Sequence, residues 1–210
     1  MNNISLPEKK ERNSNFELLR IIAMLMIVFH HFSVHGGFNY ELTDISFNRL
    51  WLYFISMGGK IGVDIFVLIS GYFLITNKAK LFDLKKVLKL WGQIFFYSVL
   101  IYLVFVIASD QPFEIKGLIR ALFPISFEVW WFASGYIILY ILYPFINILL
   151  NSIDKKTYQV LLITLLIIWC ILPTFTTKSF SGSNLAWFLT LYAVAGYVRL
   201  YGFNPKFNMS

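Results

Sequence analysis

The chain has 210 residues, of which 58% are hydrophobic, 19% aromatic and only 14% charged, and its mean hydropathy is +0.68. That composition lies far outside the range of soluble globular domains, excludes them, and predicts an integral membrane protein. A net charge of +7 would suit a nucleic-acid binder in a soluble chain, but in a membrane chain an excess of Lys and Arg reports topology and contact with anionic headgroups, so nucleic acid is not an expected partner.

The amino end, residues 1–14, is polar and carries Lys9, Lys10 and Arg12 ahead of the first apolar run. No small-residue cleavage site follows His31 and further apolar runs succeed it, so the pattern reads as an uncleaved signal anchor. The first run opens at Asn15 with Asn-Phe-Glu-Leu-Leu-Arg and closes on Phe29-His30-His31, with residues 21–29 all apolar. An ionisable side chain inside a membrane segment costs at least a few kcal/mol, so one that is kept is expected to face the protein interior or a wet cavity. At about 100° per residue the eleven steps from Arg20 to His31 return the helix to within about 20° of its starting face, roughly 16 Å further along. Arg20 and His31 therefore share a stripe. His30 points about 100° away, and Glu17, three residues before Arg20, is placed to pair with it.

His35 and a Gly36-Gly37 turn end this helix, and a loop leads to Arg49. A second apolar run, residues 50–76, is interrupted by Gly58-Gly59-Lys60, which predicts a bend or a close helix packing. It contains Gly62-Val-Asp64-Ile-Phe and Ser70-Gly71-Tyr-Phe. The most basic stretch follows, with Lys78, Lys80, Lys85, Lys86 and Lys89, and leads into a helix predicted over residues 88–108. Residues 110–128 are more polar and read as a short amphipathic or interfacial piece. A fourth long helix, residues 129–150, opens on Trp130-Trp131-Phe132 and is closed by Lys155 and Lys156. A fifth is expected over residues 158–173, with the single cysteine, Cys170, inside its apolar run, so no intramolecular disulfide exists. A Ser/Gly/Thr-rich loop leads to a sixth over residues 185–200, which ends at Arg199. No internal repeat of 20 to 50 residues stands out.

The fold class expected is all-α, a polytopic transmembrane helical bundle of about six spans. Its parts are a polar cytoplasmic segment (1–14), one membrane domain (15–202) and a short polar tail (203–210). With the amino end inside, twelve Lys and Arg residues fall on the cytoplasmic side against five (Arg49, Lys60, Lys116, Arg120 and Lys178) near the outer face, a bias that follows the positive-inside rule.

Arg20 and His31 in the first helix, together with Gly62-Val-Asp64-Ile-Phe and Ser70-Gly71-Tyr, resemble the amino half of the acyltransferase-3 family of integral-membrane O-acetyltransferases. Weaker echoes follow in order: Lys86-Val-Leu-Lys89 at a basic-x-x-basic pair, Trp131-Phe132 with Tyr143-Pro144, and Gly196-Tyr197. Members of the family are generally longer, with more spans, and often have Arg where this chain has Lys86 and Lys89. The resemblance implies a bacterial plasma-membrane protein that moves an acetyl or short acyl group from acyl-coenzyme A, acetyl-coenzyme A in particular, to a hydroxyl on a cell-envelope or exopolysaccharide carbohydrate.

Acyl transfer to an alcohol needs a base, and His31 is the candidate, since histidine titrates near neutrality. Arg20 and Asp64 are placed beside it as catalytic residues, Asp64 to orient His31 or to hold sugar hydroxyls. Lys85, Lys86 and Lys89 form a cation cluster suited to the coenzyme's phosphates, although lysine lacks the planar fork of arginine. Ser70, His30 and Trp131 are assigned to the acceptor. Each also has a plainer reading: His30 and His31 as interhelical links, the lysines as topology signals, Asp64 as a partner of Lys60, and Trp131 as an interfacial anchor. His31 and His35 have metal-pair spacing, but no third ligand is apparent and no metal is expected. A sugar or lipid transporter or flippase, and an inactive truncated fragment, remain as alternatives.

Overall fold

The computed structural model describes residues 14–38, 46–77, 83–108, 113–176 and 184–202. Among these residues every regular element is a helix: α1 (Ser14–His35), α2 (Phe47–Ser56), α3 (Gly58–Leu74), α4 (Leu84–Ala108), α5 (Ile115–Leu122), α6 (Trp131–Ser152), α7 (Lys155–Thr176) and α8 (Asn184–Tyr201). Lys9, Lys10, Arg12, Lys78, Lys80, Lys178 and the tail at 203–210 lie outside the described residues.

Among the described residues five stretches are long and apolar enough to cross a membrane: α1, the 28 residues spanning α2 and α3, α4, α6 and α7. The sixth predicted helix is α8, of 18 residues. It is the helix with Phe188, Thr190, Leu191, Tyr192, Ala193, Ala195 and Gly196 buried, and it packs against α6 and α7. A helix wrapped in protein can carry polar groups that one facing hydrocarbon cannot. By contrast α1 buries only Ala23 and leaves Ile21, Ile22, Leu25, Val28 and Phe29 exposed, the pattern of a helix whose surroundings are themselves apolar.

Local chemistry fixes where the helices start and stop. The second apolar run breaks at Met57, between Ser56 and Gly58, one residue ahead of the predicted glycine pair, and the Met57 amide turns back to the Phe54 carbonyl at 3.3 Å. Ser46 opens α2 by accepting the Arg49 amide at 3.4 Å. α4 begins four residues earlier than predicted, because the Asp83 carboxylate accepts the Lys86 amide at 3.4 Å. Lys85 and Lys86 thus join Lys89 on the opening turns of the helix and do not precede it. Lys155 and Lys156 likewise open α7 instead of closing the helix before it, because Asp154 caps α7 by accepting the Lys156 amide at 3.1 Å. Within α7 the turn at Ile167–Ile171 widens to a π-helix just ahead of Pro173, whose ring nitrogen has no hydrogen to donate to the preceding turn.

The chain forms two compact units, Met1–Phe66 and Val67–Ser210. In the first, α1 packs against α2, and the opening turns of α3 approach α1 through glycines. A Cβ on Gly62 would stand 2.6 Å from the Ala23 carbonyl oxygen, and one on Gly58 3.2 Å from the Met26 Cβ. In the second, α8 packs against both α6 and α7, and α4 lies on α5 and α6. Three buried polar side chains there link the helices: the Tyr192 hydroxyl donates to Asn147 Oδ1 at 2.6 Å, Asn147 Nδ2 donates to the Leu74 carbonyl at 2.7 Å, and the Tyr158 hydroxyl donates to the Ala193 carbonyl at 2.9 Å, whereas among the described residues the buried Ser134 hydroxyl on α6 has no partner.

Two outcomes follow for stability. A Cβ on Gly71 would meet the Ala195 Cβ at 3.0 Å and the Tyr192 backbone at 3.1 Å, whereas one on Gly92 would meet nothing within 4 Å. In detergent, Gly71→Leu should lose about 1–3 kcal/mol of stability by overpacking, and Gly92→Leu should leave the unfolding midpoint near that of the native chain. The Asp154 carboxyl is held below its ordinary pKa of 3.8 by the hydroxyl of Thr157, which donates to it. A carboxyl depressed in the folded state stabilises the fold above its unfolded-state pKa, and that contribution is lost as pH falls through the folded-state value. Asp154→Ala should therefore lower the unfolding midpoint at neutral pH, and the gap should close as the pH drops through the carboxylate range.

Candidate functional site

In the first unit α1 is unbroken from Ser14 to His35, as the eleven-residue register of Arg20 and His31 requires. Arg20 Nη1 lies 2.7 Å from Glu17 Oε1, the ion pair expected from their spacing, with the two side chains 39% and 50% exposed. His30 is half-buried and His31 exposed. Their rings stand edge to face with centroids 5.5 Å apart, and the His35 ring lies 5.7 Å beyond His31.

The ring nitrogens have defined roles. His30 Nδ1 lies 2.5 Å from the Ser56 carbonyl oxygen, and His31 Nδ1 lies 2.8 Å from the carbonyl oxygen of Ile27, one turn back on its own helix. A carbonyl only accepts, so in both neutral imidazoles Nδ1 carries the hydrogen and Nε2 the lone pair. The two residues differ in what they hold. His30 ties α1 to the last residue of α2, and its ring fills the space in which a Cβ on Gly59 would stand. Among the described residues His31 is anchored within α1 alone. Asp64, half-buried, follows Gly62 by two residues on the part of α3 that approaches α1.

The other predicted site residues fall in the second unit. Ser70 Oγ lies 3.0 Å from the Tyr136 hydroxyl. Trp131, 40% exposed, opens α6 with its ring 6.2 Å from that of Phe132 and 6.3 Å from that of Phe188. Lys85, Lys86 and Lys89 are exposed on α4. Lys86 Nζ is engaged with Asp83 Oδ2 at 3.1 Å, and this ammonium holds the Asp83 carboxyl below the usual carboxylate range. Among the described residues no three His, Cys, Asp or Glu side chains converge as a metal site. Cys170 is exposed on the π turn of α7.

Sequence reasoning missed a cleft of about 310 Å³ in the first unit, lined by Ser33, Val34, Phe38, Arg49, Leu52, Tyr53 and Ser56. Arg49 reads in the sequence only as an outer-face cation, and nothing in its spacing joins it to Ser33 sixteen positions earlier. The one local signal is the four-residue step from Arg49 to Tyr53, which puts both on one face of α2.

The arrangement thus offers imidazole side chains on a membrane-length helix, with a cation about three turns toward its amino end. A family model described as an acyltransferase domain, that of the acyltransferase-3 family, matches residues 13–210. No match was found among the curated proteins or the solved structures. With the family model covering nearly all of a chain that carries five membrane-length helices, the protein belongs to the acyltransferase-3 family and is a multi-pass membrane acyltransferase by family.

Proposed function

We propose that the protein is an O-acyltransferase that moves an acetyl or short acyl group from acyl-coenzyme A, acetyl-coenzyme A foremost, to a hydroxyl of a cell-envelope carbohydrate, with His31 as general base. The observation that carries this reading is the His31 imidazole, whose Nδ1 is committed to the Ile27 carbonyl and whose Nε2 is therefore the basic nitrogen. In the reaction Nε2 takes the acceptor hydroxyl proton as the oxygen attacks the thioester carbonyl. The C–S bond then breaks, and the proton passes from the imidazolium to the departing thiolate, giving the ester and free coenzyme A. Arg20, roughly 16 Å along the same stripe of α1, supplies positive charge for the coenzyme's phosphates. Asp64 is a positioning residue for this centre.

Lys85, Lys86 and Lys89 are assigned to the coenzyme's phosphates. The Asp83 partner of Lys86 lowers the net charge that this lysine offers, so Lys85 and Lys89 carry more of the attraction. Ser70, backed by the Tyr136 hydroxyl, and Trp131 are assigned to the acceptor. His30 is now better accounted for as the α1–α2 link than as an acceptor contact. The bias of Lys and Arg supports a plasma-membrane protein with a cytoplasmic amino terminus, and the family supports a bacterial source.

Radiolabelled acetyl-coenzyme A supplied to membranes carrying the native chain should label envelope glycans, and His31→Ala should reduce incorporation by about 10²- to 10⁴-fold. Acceptor crossing the membrane without acquiring label, equally in both, would establish a transporter instead. Gly59→Leu removes no chemical group from the centre but drives the His30 ring from its place. It should reduce transfer by about 10²-fold, the scale of a misplacement of about 1 Å, whereas Gly92→Leu should not.

A further inference from the structure

The last turn of α1 brings two exposed imidazoles together. Two glycines follow His35, yet α1 keeps its helical register through that residue, and the Phe38 ring folds back against Phe32 with centroids 5.1 Å apart. The four-residue step from His31 to His35 is therefore a step along one helix face. Both side chains are exposed, and their ring centroids lie 5.7 Å apart with the planes at 34°. The 22 residues of α1 measure about 33 Å against a hydrocarbon core of about 30 Å. A helix of that length entering at Ser14 presents this turn at the opposite interface, where solutes in water reach it.

The pair has the parts of a metal site. His31 Nδ1 donates to the Ile27 carbonyl at 2.8 Å, which fixes the tautomer, leaves the lone pair on Nε2 and holds the ring in place. A hydrogen bond from the far ring nitrogen to a backbone carbonyl is the usual outer support of a metal-binding histidine. With metal–nitrogen bonds of about 2.0–2.1 Å and ring centres roughly 1.1 Å behind the nitrogens, two imidazoles sharing one ion have centroids about 5.2 Å apart at the tetrahedral angle and at most about 6.4 Å. The observed spacing lies between these limits, so a shared ion asks for rotation of the side chains and no movement of the backbone. His30 is not the second ligand, because its ring stands at 85° to that of His31 and is tied through Nδ1 to the Ser56 carbonyl. Imidazole nitrogen selects zinc, copper and nickel over magnesium and calcium, which prefer oxygen.

We propose that His31 and His35 form a two-nitrogen site for a divalent first-row transition-metal ion, Zn²⁺ or Cu²⁺, and that the ion inhibits the protein by occupying the His31 lone pair. Among the described residues no third His, Cys, Asp or Glu joins the pair, so water completes the coordination and the ion is exchangeable, unlike the closed four-ligand sites of structural zinc. A nitrogen whose lone pair is bound to a metal cannot take a proton, so the ion and the acceptor hydroxyl exclude one another at Nε2. The inhibition rests on the reading of His31 as general base, whereas the binding does not.

The test is metal binding to the purified, tag-free full chain in phosphatidylcholine nanodiscs without acetyl-coenzyme A, followed by the same titration in the transfer assay. Zn²⁺ should bind as one ion per chain by calorimetry. Cu²⁺ should bind more tightly and show two imidazole nitrogens in its electron paramagnetic resonance spectrum, and a large excess of Mg²⁺ should not compete. His35→Ala should weaken Zn²⁺ binding by at least about tenfold, since losing an outer-shell partner alone costs roughly 10- to 100-fold, and should reduce the copper spectrum to one nitrogen. His35→Cys keeps a zinc ligand at the same step and should hold the affinity near native. His35 is exposed at a helix end, so both variants should keep the native thermal midpoint. The Zn²⁺ concentration that halves acetyl transfer should match the binding constant and rise at least about tenfold in His35→Ala, whatever the rate of that variant without zinc. Binding unchanged by His35→Ala, a single nitrogen in the native copper spectrum, or competition by Mg²⁺ would each overturn the site. Zinc bound by both imidazoles with transfer undiminished would uphold the site and overturn His31 as the base. Transfer lost in His31→Ala but equally sensitive to zinc in the native chain and His35→Ala would do the reverse.

Discussion

The break at Met57 creates a problem that the first unit is built to solve. Helix α2 ends there, and the last carbonyls of any helix lack an intrahelical donor. In water they would be hydrated, but within a membrane-length segment they must be satisfied by protein. The Met57 amide returns to Phe54, and the Ser56 carbonyl is met by His30 Nδ1 from α1. For the imidazole to reach it, α3 must begin with residues that leave room, and Gly58, Gly59 and Gly62 do so against Met26, His30, Ala23 and Ile27. Helices in a bilayer gain no hydrophobic free energy from touching each other, so close backbone packing and interhelical hydrogen bonds of this kind are what bring them together.

That structural duty separates two neighbouring histidines. His30 is consumed by the helix break, and its ring is walled by Gly59. His31, one residue on and about 100° around the helix, bonds among the described residues to its own helix and stays exposed. The plainer reading of the pair as interhelical links thus suits His30, and the proposed catalytic role suits His31. The second unit answers the same requirement with amides and phenols: Asn147 satisfies the Leu74 carbonyl at the end of α3 and receives the Tyr192 hydroxyl, while Gly71 and Gly196 admit the close contacts of α8.

What was legible in the sequence was whatever depended on near neighbours and on apolar periodicity. The long helices, the break near Gly58-Gly59 and the Glu17–Arg20 pair are all read within a few residues. Two helix starts were misplaced although the signals were there: Asp83 and Asp154 stand just before runs of lysine, and the eye takes lysines as flanks when an aspartate cap has already drawn them into the helix. The partner of His30 lies 26 residues away and is a backbone carbonyl, which has no residue type to recognise. The cleft beside Arg49 was invisible for a related reason, since its lining comes from two stretches, 33–38 and 49–56, that no spacing rule joins.

The division of labour between the two histidines is open to direct observation by two-bond ¹H–¹⁵N correlation spectra of the chain with ¹⁵N-labelled histidine in bilayer nanodiscs. Both neutral rings should carry hydrogen on Nδ1. The His30 Nδ1 hydrogen should exchange slowly and ignore added acetyl-coenzyme A, while the His31 Nε2 resonance should shift when it binds. An Nε2–H tautomer at His31, or ligand shifts confined to His30, would contradict the assignment of His31 as the base.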